Sequence, residues 1–202
     1  MNANNIGKLG LAFALLLSAA AVRADGIGYV TVSVIDDEVA SNATGRIAIN
    51  QAAGDANQQA NAAAIAIGGE AVSATVVVGQ HISNYSGNVP DVAVVRIGRN
   101  AFAGASGLIA VNQSSGVANA QSNSAAVAMG INGEVGDEAL SAALPDAAGL
   151  DGAGAAPGLR IVDVDDTAFR NARGLVQLNQ TAGAGNSSSN NFALRVSVQP
   201  DL

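Results

Sequence analysis

The residues of this chain whose types and spacing favour specific chemistry are side-chain amides, which recur in one motif at three places. Each copy reads Asn-Gln-x-x-Gly-x-x-Asn, followed by Gln or Ser and then Asn at alternate positions. An amide carries two N–H donors and an oxygen acceptor, so the chemistry open to the motif is hydrogen bonding. The motif residues are Asn50, Gln51, Gly54, Asn57, Gln59 and Asn61 in the first copy, Asn112, Gln113, Gly116, Asn119, Gln121 and Asn123 in the second, and Asn179, Gln180, Gly183, Asn186 and Asn190 in the third.

Identical amides at corresponding positions predict hydrogen-bonded ladders. A buried amide without partners costs about 1–3 kcal/mol. That cost disappears when the same amide lies directly above it in a neighbouring strand, as in cross-β stacks. Three aligned copies would supply three levels of each ladder, and further chains would extend it. Because Ser188 replaces the glutamine found at Gln59 and Gln121, we predict that the second copy is the best-formed level and the third the weakest.

The elements that must position these amides are strands, because the motif alternates with a period of two. Ile47, Ile49 and Gln51 lie at every second position, and a second run of alternating amide and aliphatic residues occupies 57–67. Successive side chains of a strand point to opposite faces, so each run places its aliphatic and amide residues together. Gly54 lies between the runs, where a tight turn favours a residue without Cβ. The sequence therefore predicts an all-β chain, a β-solenoid-like stack of three strand–turn–strand repeats that is cross-β when assembled.

The repeats also organise the rest of the chain. A short β-type run precedes each copy, at Tyr29–Ile35, Val92–Ile97 and Leu159–Val164, and Ala74–Val78 could add a further strand. The predicted segments are a signal peptide at 1–24, the first repeat with its preceding strand at 25–68, a linker at 69–91, the second repeat at 92–130, a Gly/Ala-rich linker at 131–158 and the third repeat at 159–202.

The N-terminus has the features of a secretory signal peptide. Lys8 gives a weakly positive start, Leu9–Val22 is apolar, and Val22-Arg23-Ala24 resembles a cleavage site. The competing interpretation is a transmembrane anchor, but the apolar stretch is shorter than the roughly 20 residues that a spanning helix needs. We therefore expect cleavage after Ala24 and export of the remaining chain.

Composition excludes several classes of protein. Aromatic residues make up 3% and charged residues 12% of the chain, and there is no cysteine, so neither a large aromatic core nor disulfides stabilise it. Removal of residues 1–24 lowers the nine basic residues to seven and leaves all 16 acidic ones, which gives a formal charge of −9. Such a chain is poorly suited to bind nucleic acid or anionic membranes. Stability must come from backbone pairing, stacking or assembly.

Other residues that could do chemistry form no convincing site. His81 is the only histidine and has no evident acidic partner. The acidic runs Asp36-Asp37 and Asp163-Val164-Asp165-Asp166 could hold Ca²⁺ loosely, but we favour solvated strand ends that discourage wrong edge pairing. No pair of acids recurs within the motif, which argues against a β-helix carbohydrate-active enzyme. We expect no catalytic, cofactor-binding or metal-binding residues and no cofactor.

The motif resembles the repeats of the Fap-type functional amyloid subunits of pseudomonads, and is more loosely similar to curli repeats. The likeness rests on the Asn-Gln-x-x-Gly-x-x-Asn-x-Gln-x-Asn pattern and on the segment 100–107, Asn-Ala-Phe-Ala-Gly-Ala-Ser-Gly, that precedes the second copy. It covers all three copies and the signal peptide. The resemblance implies export through the periplasm, passage through an outer-membrane secretion pore, and polymerisation with related fibre subunits at the cell surface.

The function that these features predict is that of a secreted structural subunit, major or nucleating, of an extracellular amyloid fimbria in a biofilm matrix, with a part in surface adhesion. The alternative is a monomeric secreted adhesin or accessory protein with the same β-solenoid but blocked edges. The two differ in whether the purified chain polymerises.

Overall fold

The computed structural model describes residues 17–24, 27–69, 71–82, 85, 87–136, 141–142 and 158–197. All regular secondary structure in these ranges is β-strand, which confirms the predicted all-β class, and no helix within them is long and apolar enough to span a membrane. The strands are β1 (Leu17–Ala24), β2 (Ile27–Ile35), β3 (Thr44–Ala53), β4 (Gln58–Ile67), β5 (Ala71–Thr75), β6 (Gly79–Gln80), β7 (Val92–Ile97), β8 (Ser106–Val117), β9 (Ala120–Gly130), β10 (Asn132–Gly136), β11 (Ser141–Ala142), β12 (Leu159–Val164), β13 (Arg173–Ala184) and β14 (Ser187–Ser197).

Three sheets contain the corresponding strands of the three copies. Sheet A has the order β1-β2-β7-β12, sheet B has β3-β8-β13, and sheet C has β4-β9-β14. Pairing is parallel throughout these sheets except between β1 and β2, which are antiparallel. The second copy therefore lies between the first and the third in every sheet. We call the edge formed by β12, β13 and β14 the copy-three end, and the opposite edge the copy-one end.

The register of the parallel strands places equivalent residues side by side. In sheet B, Asn112 pairs with Asn50 on one side and with Asn179 on the other. In sheet C, Asn123 pairs in the same way with Asn61 and Asn190. A slip of one residue would move every side chain to the opposite face, so the repeated pattern specifies one register.

The main hydrophobic core lies between sheets A and B. Ile35 and Ile97 of sheet A pack against Ile109 of sheet B, and all three side chains are fully buried. At the corner that joins the two sheets, the rings of Phe102 and Phe169 stack with centroids 4.7 Å apart. Offset aromatic stacking adds to the area that these rings bury, so the corners of the second and third copies are tied together.

Sheet C is covered on its other face by a small sheet made from the stretches between the copies. β5 and β10 pair in parallel and pack on sheet C through Ala74, which contacts the buried Ala126 and Ala128 of β9. These small side chains let the two sheets approach closely. Both stretches, 69–91 and 131–158, therefore contain a strand that lies against the repeats.

The corners between sheets A and B are stacked turns with an uncommon backbone. Ala40, Phe102 and Phe169 occupy equivalent positions and have φ values of 55°, 59° and 55°. A residue with a side chain is strained in this region, at a cost of about 1–3 kcal/mol. Hydrogen bonds between copies offset this strain, since the Phe102 N–H donates to the Val39 oxygen and the Phe169 N–H donates to the Ala101 oxygen, both at 2.8 Å.

The motif glycines allow close contact between copies at the turns. Gly116 has φ 124°, and a Cβ built on it would lie 1.8 Å from the carbonyl oxygen of Gly183. The same contact joins Gly54 to the carbonyl oxygen of Gly116, at 2.1 Å. A side chain at either position would force the stacked turns apart.

We expect Gly116→Ala to lower the free energy of unfolding more than Gly45→Ala. Gly45 also has positive φ, 101°, but no atom lies within 4 Å of the point that a Cβ would occupy, so only backbone strain of about 1 kcal/mol applies there. Gly69→Ala, which introduces neither strain nor contact, is the matched control. Urea unfolding followed by circular dichroism measures the series, and equal losses at Gly116 and Gly45 would contradict the stacking contact.

Candidate assembly site

Sheet B carries the first two amides of each motif on opposite faces. Asn112 points toward sheet C, where its amide N–H donates to the Ala60 oxygen at 2.8 Å. Gln113 points toward sheet A, where its amide N–H groups donate to the oxygens of Ser33 and Arg96 at 3.0 and 2.9 Å. The adjacent residues of the motif therefore link sheet B to the sheets on both sides.

The first ladder consists of the asparagines on the sheet C side. Asn179 donates to the Oδ1 of Asn112 at 2.9 Å, and Asn112 donates to the Oδ1 of Asn50 at 3.0 Å. The side chain of Asn112 is fully buried, that of Asn179 nearly so, and that of Asn50 is exposed. The ladder thus runs through all three copies and ends in solvent at the copy-one end.

A second ladder faces it from sheet C. Asn190 donates to Asn123 at 2.9 Å, and Asn123 donates to Asn61 at 3.0 Å. Each of the three also donates to a sheet B carbonyl at 2.9 to 3.2 Å, so the side chains bridge the two sheets at every level. Asn123 further donates to the Oδ1 of Asn112 at 2.9 Å, and this link between ladders recurs in the other two copies.

The glutamines next to the first ladder form a third one on the sheet A side. Gln180 donates to Gln113 at 2.9 Å, and Gln113 donates to Gln51 at 3.2 Å. Gln51 also donates to the Val34 oxygen at 2.9 Å. Burial of polar groups in this region is tolerable because each amide reaches a neighbouring amide, a carbonyl of sheet A, or both.

The turn asparagines form a fourth ladder. Asn186 donates to Asn119, and Asn119 donates to Asn57, each at 2.8 Å. Asn119 also donates to the carbonyl oxygen of Gly183 at 3.1 Å. The turn glycine and the turn asparagine therefore act as a pair: the glycine permits close approach and the asparagine bonds the carbonyl that is brought near.

The remaining ladder is incomplete. Gln59 donates to the Oε1 of Gln121 at 2.8 Å and to the hydroxyl of Ser114 at 3.1 Å. Gln121 has no glutamine above it and donates to the hydroxyl of Thr181 at 3.2 Å. Ser188 occupies the third level and donates to the Oδ1 of Asn179 instead. The predicted weak level of the third copy corresponds to this interruption.

The second copy is the most buried of the three. Its five motif amides are all fully buried, whereas several of those in the first and third copies are partly exposed. The difference follows from position, because the second copy has a neighbour on each side.

Four buried side-chain atoms of the described residues lack a hydrogen-bond partner, and none belongs to a motif amide. They are the Oγ of Ser33, the Oε1 of Gln80, the Oγ of Ser122 and the Oε1 of Gln177.

Four of the five ladders share one direction. In each, the amide nitrogen of one copy donates to the side-chain oxygen of the preceding copy. The ladder of Gln59 and Gln121 runs in the opposite direction. The stack of copies is therefore polar, and its two ends present different hydrogen-bonding groups.

The acidic runs lie at the corners and form hydrogen bonds within the chain. Asp37 accepts hydrogen bonds from the guanidinium and the backbone N–H of Arg99, at 2.9 and 2.7 Å, and thereby joins the first copy to the second. Asp165 accepts from the hydroxyl and backbone N–H of Thr167, whose hydroxyl in turn accepts from the Asn100 N–H of the second copy. These bonds lower the pKa of both carboxyl groups.

No group of three or more acidic or histidine side chains in the described ranges could hold a metal ion. His81 is exposed, and its backbone N–H donates to the side-chain oxygen of Gln58 at 2.9 Å. The structure thus uses this segment, which follows β6, to contact the first copy through the main chain.

Sequence reasoning missed several residues that connect the sheets. The Ser115 hydroxyl lies within hydrogen-bonding distance of the main-chain oxygen and of the hydroxyl of Thr31, at 2.7 and 2.8 Å, and so joins sheets B and A near the turn. Gln80, in the stretch between the first two copies, donates to the main-chain oxygen of Gln121 at 2.9 Å. Both lie outside the identical positions of the motif, so the repeat pattern gave no indication of them.

An all-β chain that places identical amides in register along parallel strands has the side-chain packing found in cross-β structures. The family comparison agrees with this class: the chain belongs to the functional amyloid protein FapB/FapC family, whose model matches residues 18–197. The resemblance seen in the motif is thereby confirmed. The protein is a functional amyloid subunit, of a family that self-associates into fibres. No solved structure matches the chain.

We expect Asn112→Leu to destabilise the chain much more than Asn50→Leu, although both remove one amide from the same ladder. Asn112 is fully buried, and its loss removes one hydrogen bond from Asn123 and one from Asn179 where water does not replace them, at about 0.5–1.5 kcal/mol each. Asn50 is exposed, so water replaces the lost bonds and we expect a loss below about 1 kcal/mol. Urea unfolding compares the two variants, and equal losses would show that the ladder is not a buried network.

We expect the contribution of Asp37 to stability to be lost in acid. The folded-state pKa is depressed by the Arg99 guanidinium and N–H, so the contribution is complete above the unfolded pKa and disappears as the pH falls through the folded one. Carboxyl carbon NMR titration should give a pKa for Asp37 below its usual value, and Arg99→Gln should raise it. Arg96→Gln is the control, since Arg96 lies 3.5 Å from Asp163 instead. An unchanged pKa in Arg99→Gln would refute the assignment.

Proposed function

We propose that the protein is a structural subunit of an extracellular amyloid fimbria and that its three repeats are the levels of a β-solenoid-like stack that continues from chain to chain. The observation that carries this proposal is the polarity of the amide ladders, which run through three levels and end at strand edges. In the described part of the chain, β12, β13 and β14 pair on one side only, as do β3 and β4. Unpaired edges of this kind add strands from other chains.

The apolar surface of the copy-three end supports growth there. Leu159, Val162 and Val176 lie on edge strands and are 56%, 51% and 40% exposed. Their equivalents in the second copy lie between strands on both sides. Exposed aliphatic residues grouped along an edge mark an association surface, and a further level would bury them as the third copy buries the second.

The copy-three end and the copy-one end also complement each other where the ladder of Gln59 and Gln121 is interrupted. Within the chain, each glutamine of the incomplete ladder donates to a hydroxyl in the next copy, Ser114 or Thr181. The third copy has Ser188 in place of the glutamine donor, and the first copy has Ala52 in place of the hydroxyl acceptor. When the first copy of one chain follows the third copy of another, Ser188, which lacks the glutamine amide, lies next to Ala52, which lacks the hydroxyl. We therefore propose head-to-tail addition, since this junction leaves no glutamine donor without its hydroxyl acceptor.

The route of the chain to this fibre involves its N-terminus. β1, which lies within the predicted signal peptide, pairs antiparallel with β2 and occupies the sheet A edge of the copy-one end. Cleavage after Ala24 would remove this strand and leave β2 free to pair. We propose that export through the periplasm and an outer-membrane pore precedes assembly for this reason. Related subunits join the same fibre, which contributes to the biofilm matrix and to surface adhesion.

We expect Val176→Lys to slow fibre elongation of the mature chain, residues 25–202, at least about tenfold. Val176 is partly exposed in one chain, but a next level would surround it, and a buried unpaired charge costs several kcal/mol. Val77→Lys is the matched control, since Val77 is 66% exposed and lies outside the edge strands. Elongation is followed by light scattering, and fibre diffraction should show the reflection near 4.7–4.8 Å of cross-β structure.

Two results would overturn the proposal. If Val176→Lys fibres grew at the rate of the unaltered chain, the copy-three end would not be the growing surface. If the mature chain stayed monomeric at high concentration, the alternative of a secreted β-solenoid adhesin that does not polymerise would replace the fibre.

A further inference from the structure

An apolar groove of about 420 Å³ lies between the beginning of sheet B and the end of sheet C. Leu108 and Leu175 line its sheet B wall, and Ile65, Val127 and Phe192 line its sheet C wall. Because these residues come from neighbouring strands of all three copies, the groove runs along the direction in which the copies stack.

The groove is open to solvent at the beginning of sheet B. Gly45, Gly107 and Gly174 line it there, with φ values of 101°, 127° and 102°, and they contribute no side chains to fill it. Ile65, on the sheet C wall, remains 62% exposed. The result is a trough with apolar walls.

One charged residue, Arg46, stands at the copy-one end of the trough. Among the described residues it is the only ionisable one that lines the groove, in a chain whose acidic residues outnumber its basic ones by 16 to 9. Leu108 and Leu175 occupy the same register position in the other copies. The guanidinium donates one hydrogen bond to the main-chain oxygen of Asn61 at 2.9 Å. A guanidinium has five N–H groups, so four further donors remain.

We infer that this groove binds the free anion of a medium-chain fatty acid, with the alkyl chain along Leu108, Leu175 and Val127 and the carboxylate at Arg46. The walls exclude polar ligands because they offer the tail only aliphatic and aromatic contacts. The arginine selects an anionic head, since a carboxylate matches the guanidinium fork. The inference concerns a single chain and does not depend on fibre growth.

The free anion fits better than a membrane lipid. The trough is a groove of about 420 Å³ between two sheets, so a lipid would have to leave its bilayer to enter. The chain is also negatively charged overall, at −7 before and −9 after removal of residues 1–24, and an anionic bilayer would repel it.

Equilibrium dialysis of radiolabelled decanoate against the mature chain tests the inference. We expect saturable binding that strengthens with chain length by up to about fourfold per methylene. Arg46→Leu should weaken decanoate binding by up to about fivefold and leave decanol binding unchanged. The fold should tolerate this change, because leucine already occupies the position in the other two copies. Arg195→Leu, an exposed arginine away from the groove, is the matched control.

A second variant tests the tail contacts. Leu108→Ser should weaken decanoate and decanol equally, with circular dichroism confirming that the strands persist. Absence of saturable binding, an equal effect of Arg195→Leu and Arg46→Leu, or uptake from vesicles of anionic phospholipid in preference to free decanoate would each overturn the inference. So would a change in fibre width in Leu108→Ser with decanoate binding intact, which would assign the groove to lateral contact between chains.

Discussion

The structure depends on one constraint: an amide that is buried must find its hydrogen-bond partners among other buried groups. In this chain the partners are amides of the neighbouring copies and main-chain oxygens of the facing sheet. Asn112 satisfies the constraint most fully, since it bonds to both neighbouring levels and to sheet C. Because each amide needs the one above and the one below, the copies must lie in register, and the register in turn fixes the parallel pairing of the corresponding strands of the three copies.

The same constraint explains why so few large side chains suffice. The main core, around Ile35, Ile97 and Phe102, lies near one end of sheets A and B. Toward the turns, the interior is filled by amides and small hydroxyl residues, such as Gln113 and Ser115, which hold the sheets together by hydrogen bonds rather than by apolar area. Charged residues remain at the corners and on the surface, where Asp37 and Arg99 join the first two copies without a burial cost.

A stack of this kind has unlike ends. The middle copy has a neighbour on each side, while the outer copies each lack one, and the direction of the ladders makes the two ends chemically different. Exposed aliphatic residues on β12 and β13 and unpaired strand edges follow directly from this arrangement. Membership of the functional amyloid family is consistent with it, because strands that pair on one side only, β12 to β14 at one end and β3 and β4 at the other, can be extended by further chains.

Much of the candidate site could be predicted from the sequence, because identical residues at equal spacing must coincide once the copies align. The runs Val92–Ile97 and Leu159–Val164 coincide with β7 and β12, and the exception at Ser188 predicted where a ladder ends. The strand in the stretch 69–91, by contrast, spans Ala71–Thr75, only partly the run Ala74–Val78. Short apolar runs without a repeat carry too little periodicity to fix a strand or its partner.

The sequence by itself determined the level of each amide, since the spacing of the motif decides which residues meet in neighbouring copies. Only the tertiary structure decided which sheet each amide faces, with Asn112 directed to sheet C and Gln113 to sheet A. The physical reason is that alternation reports which side chains share a face, not what packs against it. The position of sheet B between the other two, the positive φ of the stacked corners and the apolar groove beside Arg46 depend on how the strands of one copy pack against each other, which the spacing between copies does not report.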